Sequence, residues 1–541
     1  MTDSTADNGA GACWVAMVLL GVLAVFCFAP EVAKVNDQCC DTEGEGCQED
    51  EVRQVMAAYW KEHSKQGSVE EMMLDNTAEE LSKEELPEIL SYLPEYAGKD
   101  VIELGAGIGR FTTEIAKKAK SVAAVDFMEE FINKNKKTNQ NFNNIEYVVA
   151  DVTKLDRPKE SADLIFSNWL LMYLNDNEVQ EFFRKQLSWL RPGGYLFIRE
   201  SCRHQSGNKD RGANPTEYRD PELYEAFYSS TTMPCDENNF YGFDLVVSKS
   251  VDTYIKRKNN SNQVIWLIEK VKRDNSQNHG FKSFQEFLDN QQYSARGILL
   301  YEKIFGRTYV STGGPETTEE FVELLNLQRG QQVLDVGGGI GGSAFYMAKK
   351  FGVKVVSIDL SSNMTQIGLQ RAEEVGCGPD QVVFEIADAT KRDYPAQSFD
   401  VIYSRDTILH IPDKLALFKK FYKFLRPGGK VLISDYCCSP DEHSEKFKTY
   451  VKQRGYNLLS PAQYGKVLEA AGFVNVRAED RSAQFAKVLK SEIAKTESIK
   501  DEFIKEFDED GYRYIVDGWK EKLGRVEIGD QRWGLFYAEK S

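Results

Sequence analysis

The sequence has no CxxC spacing, no cluster of lysines and arginines, and no glycine-rich loop ending in Gly-Lys-Ser or Gly-Lys-Thr. Each absence removes a class of function. Without CxxC pairs the ten cysteines form no zinc ribbon and no thioredoxin-type centre. Cys39–Cys40 and Cys437–Cys438 are adjacent pairs, which fits reduced thiols in a cytoplasmic protein. Without a basic block, and at a net charge of −17, the chain is poorly matched to a phosphate backbone, so nucleic acid is not an expected partner. Histidine is scarce as well. There are five in 541 residues, so the position of each carries information. A small-molecule substrate fits this profile.

What is present is, first, length: 541 residues exceed one ordinary core, and two or more domains are expected. Residues 12–29, ACWVAMVLLGVLAVFCFA, form an uncharged apolar run just long enough to span a bilayer. The basic flank of a secretory signal is missing before it. A membrane anchor, a signal peptide and a leader without function all remain open readings. The expectation is a monomeric catalytic body in the cytoplasm, with residues 12–29 as its single point of membrane contact if they anchor it.

The rest of the chain is a duplication. VIELGAGIGRFT at 101–112 matches VLDVGGGIGGSA at 333–344, an offset of about 230 residues. Further blocks follow in the same order: SVAAVDFM with VKVVSIDLS, EYVVADVT with VVFEIADAT, ADLIFSNW with FDVIYSRD, and WLRPGGYLFIRES with FLRPGGKVLISDY. Apolar runs alternate with segments of helical spacing such as KLALFKKFYKFL. Strand–helix alternation predicts a mostly parallel sheet covered on both faces. Each repeat is therefore expected to be a doubly wound, Rossmann-like α/β domain, with a polar and aromatic lid insertion after the fifth strand. The expected layout is a tail over 1–50, a first domain over 51–272, a linker over 273–283 and a second domain over 284–541.

A glycine-rich turn between strand and helix lets a ligand approach the backbone. Gly105, Gly107 and Gly109 occupy such a turn, as do Gly337, Gly339 and Gly341. About twenty residues on, Asp126 and Asp359 end the second strand, where a carboxylate binds ribose hydroxyls. The first strand ends in Glu103 or Asp335 beside the glycines. A negative group there repels pyrophosphate and suits a cationic ligand without phosphate. Asp151 and Asp388, after the third strand, suit an adenine amino group. This pattern resembles the class I S-adenosylmethionine-dependent methyltransferases, whose ligand is a cationic nucleoside.

The resemblance narrows further. YWKEHSKQGSVEEMML, ELGAGIGRFT, SNWLLMYL and RESCRHQSG are similar to the first domain of the phosphoethanolamine N-methyltransferases. FLDNQQYSARGILLYEKIFG, YVSTGG, YSRDTILHI, ISDYC, YVKQRGY and QRWGLF are similar to the second. The likeness runs from about residue 55 to the end and follows the two-domain arrangement of plants. One departure is GGG at 337–339, where a small residue other than glycine is expected in the middle.

The resemblance implies stepwise methylation of phosphoethanolamine to phosphocholine, feeding phosphatidylcholine synthesis. It adds Phe127, Val152, Ser167, Leu360, Ala389, Arg405 and Ser311 to the cofactor residues. It implies a Tyr293–His410 dyad. Such a base is needed because the acceptor amine, with a pKa near roughly 10, is protonated and has no lone pair. Asp406 would face the cationic nitrogen. Gln292, Tyr301, Tyr436, Arg454, Tyr456 and Lys522 would hold the phosphobase. In the first domain Tyr173 stands opposite His410 and Trp169 opposite Asp406. There Tyr59, Trp60, His63, Glu200, Ser201, His204, Asn214, Thr216, Tyr218 and Arg219 are the candidates. By the resemblance the first domain makes the first methylation and the second domain the later two. Other readings are a methyltransferase for a different acceptor, or a pair in which one domain only binds cofactor and regulates the other.

Overall fold

In the computed structural model, which describes residues 44–63, 67–209, 216–236, 238–274 and 281–541, the two repeats fold the same way. The first contains β1 (Asp100–Leu104), β2 (Ser121–Asp126), β3 (Ile145–Val149), β4 (Ala162–Asn168), β5 (Leu190–Ser201), β6 (Met233–Pro234), β7 (Asn239–Ser250) and β8 (Gln263–Asp274). The second contains β9 (Gln332–Val336), β10 (Lys354–Asp359), β11 (Val382–Ala387), β12 (Phe399–Arg405), β13 (Leu425–Cys438), β14 (Val474–Asp480) and β15 (Gln531–Glu539). The strand order is β3-β2-β1-β4-β5-β8-β7 in one and β11-β10-β9-β12-β13-β15-β14 in the other. The first five strands of each are parallel, and the Trp-bearing strands β8 and β15 return antiparallel. Strand order reverses between β1 and β4, and between β9 and β12. That reversal opens the crevice where such sheets bind ligands.

Local sequence explains the elements. Helix Lys414–Phe424 starts where Asp413 accepts from the Ala416 amide at 2.9 Å, and it buries Leu417, Phe418, Phe421 and Phe424. Its counterpart Asp176–Trp189 starts with a capping box of Asn175 and Glu178.

The repeats share one sheet. β11 pairs antiparallel with β7, Ile386 opposite Ser248 and Ala387 opposite Val247. One apolar cluster runs through both repeats, with Tyr92, Val246 and Val247 beside Val336, Ile358 and Ala387. Residues 56–541 form one compact unit; residues 1–55 are a separate unit, of which the described part begins with helix Gly44–His63. Residues 12–29, and residues 275–280 of the expected linker, lie outside the described residues. Among the described residues no helix is long and apolar enough to cross a membrane.

Buried charges cross the junction. Glu385 on β11 bonds Arg392 at 3.0 Å and Tyr394 at 2.8 Å, and lies 3.7 Å from Lys249 on β7. Lys391 reaches Asp244 and Glu269 of the first repeat, both at 2.9 Å. Burial alone would raise the Glu385 carboxyl, but Arg392 and Lys249 outweigh it and hold it down to about 2. Its contribution to stability is therefore complete above the ordinary carboxylate range and fades as pH falls toward about 2. Glu385→Gln strands the buried Arg392 and leaves Lys249 with Asp252 as its one carboxylate. Unfolding in urea is expected to show a loss of roughly 3–5 kcal/mol; an unchanged midpoint would remove this network from the account.

Candidate active site

The second repeat builds its site on the carboxyl ends of β9, β10, β11 and β12. A cavity of about 240 Å³ lies there, lined by Ser311, Gly337, Asp359, Leu360, Asp388, Ala389, Asp406 and His410 and closed by Phe284, Leu288 and Tyr293. The covering residues come from the segment before β9; the insertion after the fifth strand, where the lid is expected, contributes no residue to the cavity lining. Gly337 has φ +72°, and a Cβ there would sit 2.0 Å from Thr407 Oγ1. Only glycine allows both the turn and that approach. Asp359 accepts from the amides of Gly339 at 3.0 Å and Ser361 at 2.9 Å, so it fixes the loop. Asp335 is buried beneath the loop and its Oδ2 has no partner. Burial, with Asp359 nearby, pushes Asp335 up to about 7. An unpartnered buried carboxylate oxygen under a glycine loop fits a cationic nucleoside better than a phosphate. The unexpected Gly338 has a local reason: a Cβ would lie 1.9 Å from Ser357 Oγ. In the first repeat Ala106 takes that place, and Ala124 stands where Ser357 does.

Arg405 lines the cavity, but its guanidinium turns inward. It donates to Ser434 Oγ, Thr318 Oγ1, Thr317 Oγ1 and the Thr312 carbonyl at 2.6–3.0 Å. The side chain expected to reach cofactor is thus committed to the protein, braced beneath the strand end.

Asp406 follows with φ +50°, and Trp169 occupies the matched position at φ +53°. Neither is glycine, so each repeat stores backbone strain at the same strand end. Asp406 accepts from Trp533 Nε1 at 2.9 Å and from the Thr312 amide at 3.2 Å. His410 lies on the short turn Ile408–His410. Its Nε2 is 3.2 Å from the Tyr293 hydroxyl, and its Nδ1 is buried without a partner. Burial, then Lys414 and Arg454, lower its pKa to about 3. The imidazole is neutral at physiological pH and its lone pair is available.

A second set gathers beyond Asp406. Lys522 Nζ donates to Tyr436 Oη at 3.2 Å, and Tyr436 Oη lies 3.0 Å from Thr312 Oγ1. Arg454 ends helix Glu445–Arg454 among the phenols of Tyr301, Tyr450, Tyr456 and Tyr514, with burial opposed by those phenols. Tyr301 pairs with Tyr514 at 3.4 Å, and the Tyr456 ring meets His410 edge-on at 5.1 Å. Gln292 donates to the Arg454 carbonyl at 2.7 Å. Neither Arg454 nor Lys522 has a carboxylate within ion-pair distance among the described residues. Two half-buried cations without a carboxylate in ion-pair contact, beside hydroxyl donors, are suited to a dianion.

The first repeat repeats the cofactor end and changes the other. Gly105 and Gly107 have positive φ, and Asp126 accepts from the Gly107 amide at 2.8 Å. Glu103 is buried like Asp335 but accepts from Thr112 at 2.6 Å. Phe127 is exposed, Val152 is buried, Asp151 binds Thr153, and Ser167 is buried with an unpartnered hydroxyl. Trp60 packs edge-on against Tyr173 at 5.7 Å, and Tyr59 is buried beside it. Several expected phosphobase residues are used otherwise. Arg219 is buried and donates to Asp176, Glu217 and the carbonyls of Leu171 and Leu174. Glu200 accepts from the amides of Leu170, Leu171 and Met172. Ser201 bonds the His204 carbonyl and Ser206, and His204 is exposed against Asn262. These groups hold the loop together. Thr216 and Tyr218 follow on the partly covered insertion. Asn214 and the His63 side chain lie outside what is described. The sequence reading also missed Glu85, buried between Arg199 and Arg110, with Arg199 stacked on Trp169 at 4.0 Å. Glu85 lies on a helix before β1, outside every motif.

Family models described as a methyltransferase domain match residues 101–194 and residues 315–478. Phosphoethanolamine N-methyltransferase 3 of Arabidopsis thaliana is 53% identical over 493 residues, 91% of this chain and 99% of that protein. The chain belongs to the phosphoethanolamine N-methyltransferases. A wheat member, phosphoethanolamine N-methyltransferase 1 of Triticum aestivum, is also 53% identical, over 90% of this chain and 97% of its own. Among solved structures, Haemonchus contortus phosphoethanolamine N-methyltransferase 2 with phosphomonomethylethanolamine and S-adenosylhomocysteine aligns with a TM-score of 0.67 at 26% identity, covering 85% of this chain and 99% of that one.

For this phosphoethanolamine N-methyltransferase the cation pair generates a pH prediction. Burial lowers Lys522 to about 8. The lysine is charged below that value and loses its charge as pH rises through it. Affinity for a phosphorylated amine is expected to fall above pH about 8, and in Lys522→Met that dependence is expected to disappear with a roughly 10- to 100-fold higher KM. A variant with unchanged KM would place the phosphate elsewhere.

Proposed function

We propose that this enzyme methylates phosphoethanolamine, with S-adenosylmethionine as donor, through mono- and dimethyl intermediates to phosphocholine. In this reading the first domain, residues 51–272, takes the first step, and the second domain, residues 284–541, takes the later two. The body works in the cytoplasm as a monomer. The observation that carries the reading is the pairing, across one site, of a neutral histidine dyad with two cations that have no carboxylate in ion-pair contact among the described residues.

S-Adenosylmethionine, when bound, supplies an electrophilic methyl group on a sulfonium. Asp335, the Gly337 loop, Asp359 and Asp388 would hold it in the second domain, and Glu103, the Gly105 loop, Asp126 and Asp151 in the first. The remaining chemistry belongs to the acceptor. Arg454, Tyr456, Tyr301 and Lys522 bind the phosphate. Asp406 faces the amine and favours its cationic forms, including the quaternary product that has no proton to lose. In the tautomer with hydrogen on Nε2, His410 donates to Tyr293 Oη, and the Nδ1 lone pair takes the proton from the ammonium. With a pKa near 3, His410 does not retain the proton: as Nδ1 takes it, the Nε2 proton passes to Tyr293 Oη and the tyrosine's own hydroxyl proton leaves to solvent.

The two domains share a sheet, so the test uses the full chain. Asp126→Ala and Asp359→Ala are each assayed with labelled cofactor and the three phosphobases. Loss of a charged hydrogen-bond partner is expected to slow the affected domain by roughly 10-fold or more. Asp126→Ala is expected to spare the mono- and dimethyl substrates, and Asp359→Ala to accumulate the monomethyl product. Equal losses on all three substrates would contradict the division.

A further inference from the structure

We propose that Lys414 and Asn457 are positioning residues of the second-domain reaction: together they hold the backbone carbonyls of residues 408–411 and so fix His410 in register with Arg454 and Tyr456. The inference rests on the reading of His410 as the proton acceptor.

Lys414 is buried, and its ammonium has three donors. They go to the carbonyls of Ile408 at 2.9 Å, Ile411 at 2.8 Å and Asn457 at 2.7 Å. Asn457 completes the set. Its amide donates to the Leu409 carbonyl at 2.7 Å and its Nδ2 to the His410 carbonyl at 3.3 Å. Asn457 directly follows Tyr456 and lies three residues after Arg454. The turn that aims the imidazole and the loop that presents the phosphate ligands are thus tied by the Lys414 ammonium and by the backbone and side-chain amides of Asn457.

The first repeat reaches the same arrangement from different sequence. Arg219 donates to the carbonyls of Leu171 and Leu174, the counterparts of Ile408 and Ile411. The Glu217 amide donates to the Met172 carbonyl at 2.7 Å, the counterpart of Leu409. Lys414 lies at the start of the helix after the turn, whereas Arg219 lies in the insertion after β5. A buried cation on the same two carbonyls, supplied from unmatched positions, marks a requirement of the turn itself. Burying an ammonium is costly unless every donor is satisfied, and here the backbone satisfies it.

The second domain gains something more from that charge. His410 is faced by Tyr293, Tyr456 and Phe284, with Asp406 at the same strand end and Arg454 across the site. Lys414 lies below with Asp435 beneath it, and after burial Lys414 is the largest influence keeping the imidazole unprotonated. In the first domain the matched residue is Tyr173, for which that effect has no use.

The test uses the full-length chain with the dimethyl phosphobase and labelled cofactor. Lys414→Met is expected to lower kcat about 10- to 100-fold with cofactor affinity unchanged, and to move the acid limb of kcat/KM to higher pH, because His410 then holds a proton more readily. Lys414→Arg is expected to restore the limb. Asn457→Ala is expected to lower kcat and raise the phosphobase KM together. A rate loss with the acid limb unmoved and no rescue by arginine would overturn the proposal. With histidines labelled with nitrogen-15, the His410 ring signal, identified by its loss in His410→Gln, reports the same titration without turnover. An unchanged His410 titration in Lys414→Met, or in Lys414→Gln should the methionine variant not fold, would equally overturn it. If the wild-type chain methylates no phosphobase, the proposed function fails, and the ring titration still decides the role of Lys414.

Discussion

Two half-buried cations without a carboxylate in ion-pair contact among the described residues are the constraint around which the second site is arranged. Unpaired charge held away from water is unfavourable, and a fold keeps it only where the surroundings over-determine it. Here Arg454 is set by the end of its helix and by Gln292 on its carbonyl, and Lys522 by Tyr436. Tyr436, Thr312 and Asp406 then form a polar chain from the two cations to the turn that carries His410. The dyad closes the opposite wall. A ligand that is dianionic at one end and cationic at the other is the complement of this arrangement.

The duplication explains why the two sites agree and where they part. Both keep the strand-end glycine turn, the carboxylate of the second strand that bonds it and a strained residue after the fourth strand. Both clamp the following turn with a buried cation. They differ in what the turn presents: His410 in one repeat, Tyr173 packed on Trp60 in the other. The shared β7–β11 pairing places the first repeat directly against the strand that leads into Asp388. The second cofactor crevice is therefore built partly on its neighbour, and the repeats are better regarded as one body than as two enzymes on a string.

Much of this was legible in the sequence, and the limits have physical reasons. The glycine turns and the strand-end carboxylates follow from motifs, because local spacing sets them, the doubly wound sheet follows from strand–helix alternation, and the Tyr293–His410 pairing, which joins distant segments, comes from the family resemblance. The roles of Arg219, Glu200 and Arg405 were not legible. A buried arginine bonded to backbone and a surface arginine awaiting phosphate have the same letter, and only three-dimensional burial separates them. Lys414 and Asn457 carry no motif, since backbone carbonyls accept from any donor that reaches them. The exchange of Gly338 against Ser357 was hidden for a related reason: the two residues meet only through strand register.

The most direct test is a crystal structure of the full chain with S-adenosylhomocysteine and phosphocholine. The account predicts phosphate oxygens on Arg454, Tyr456 and Lys522 and the quaternary nitrogen against Asp406, beneath Tyr293 and His410. A phosphocholine bound in the second domain with its phosphate away from Arg454 and Lys522 would contradict it.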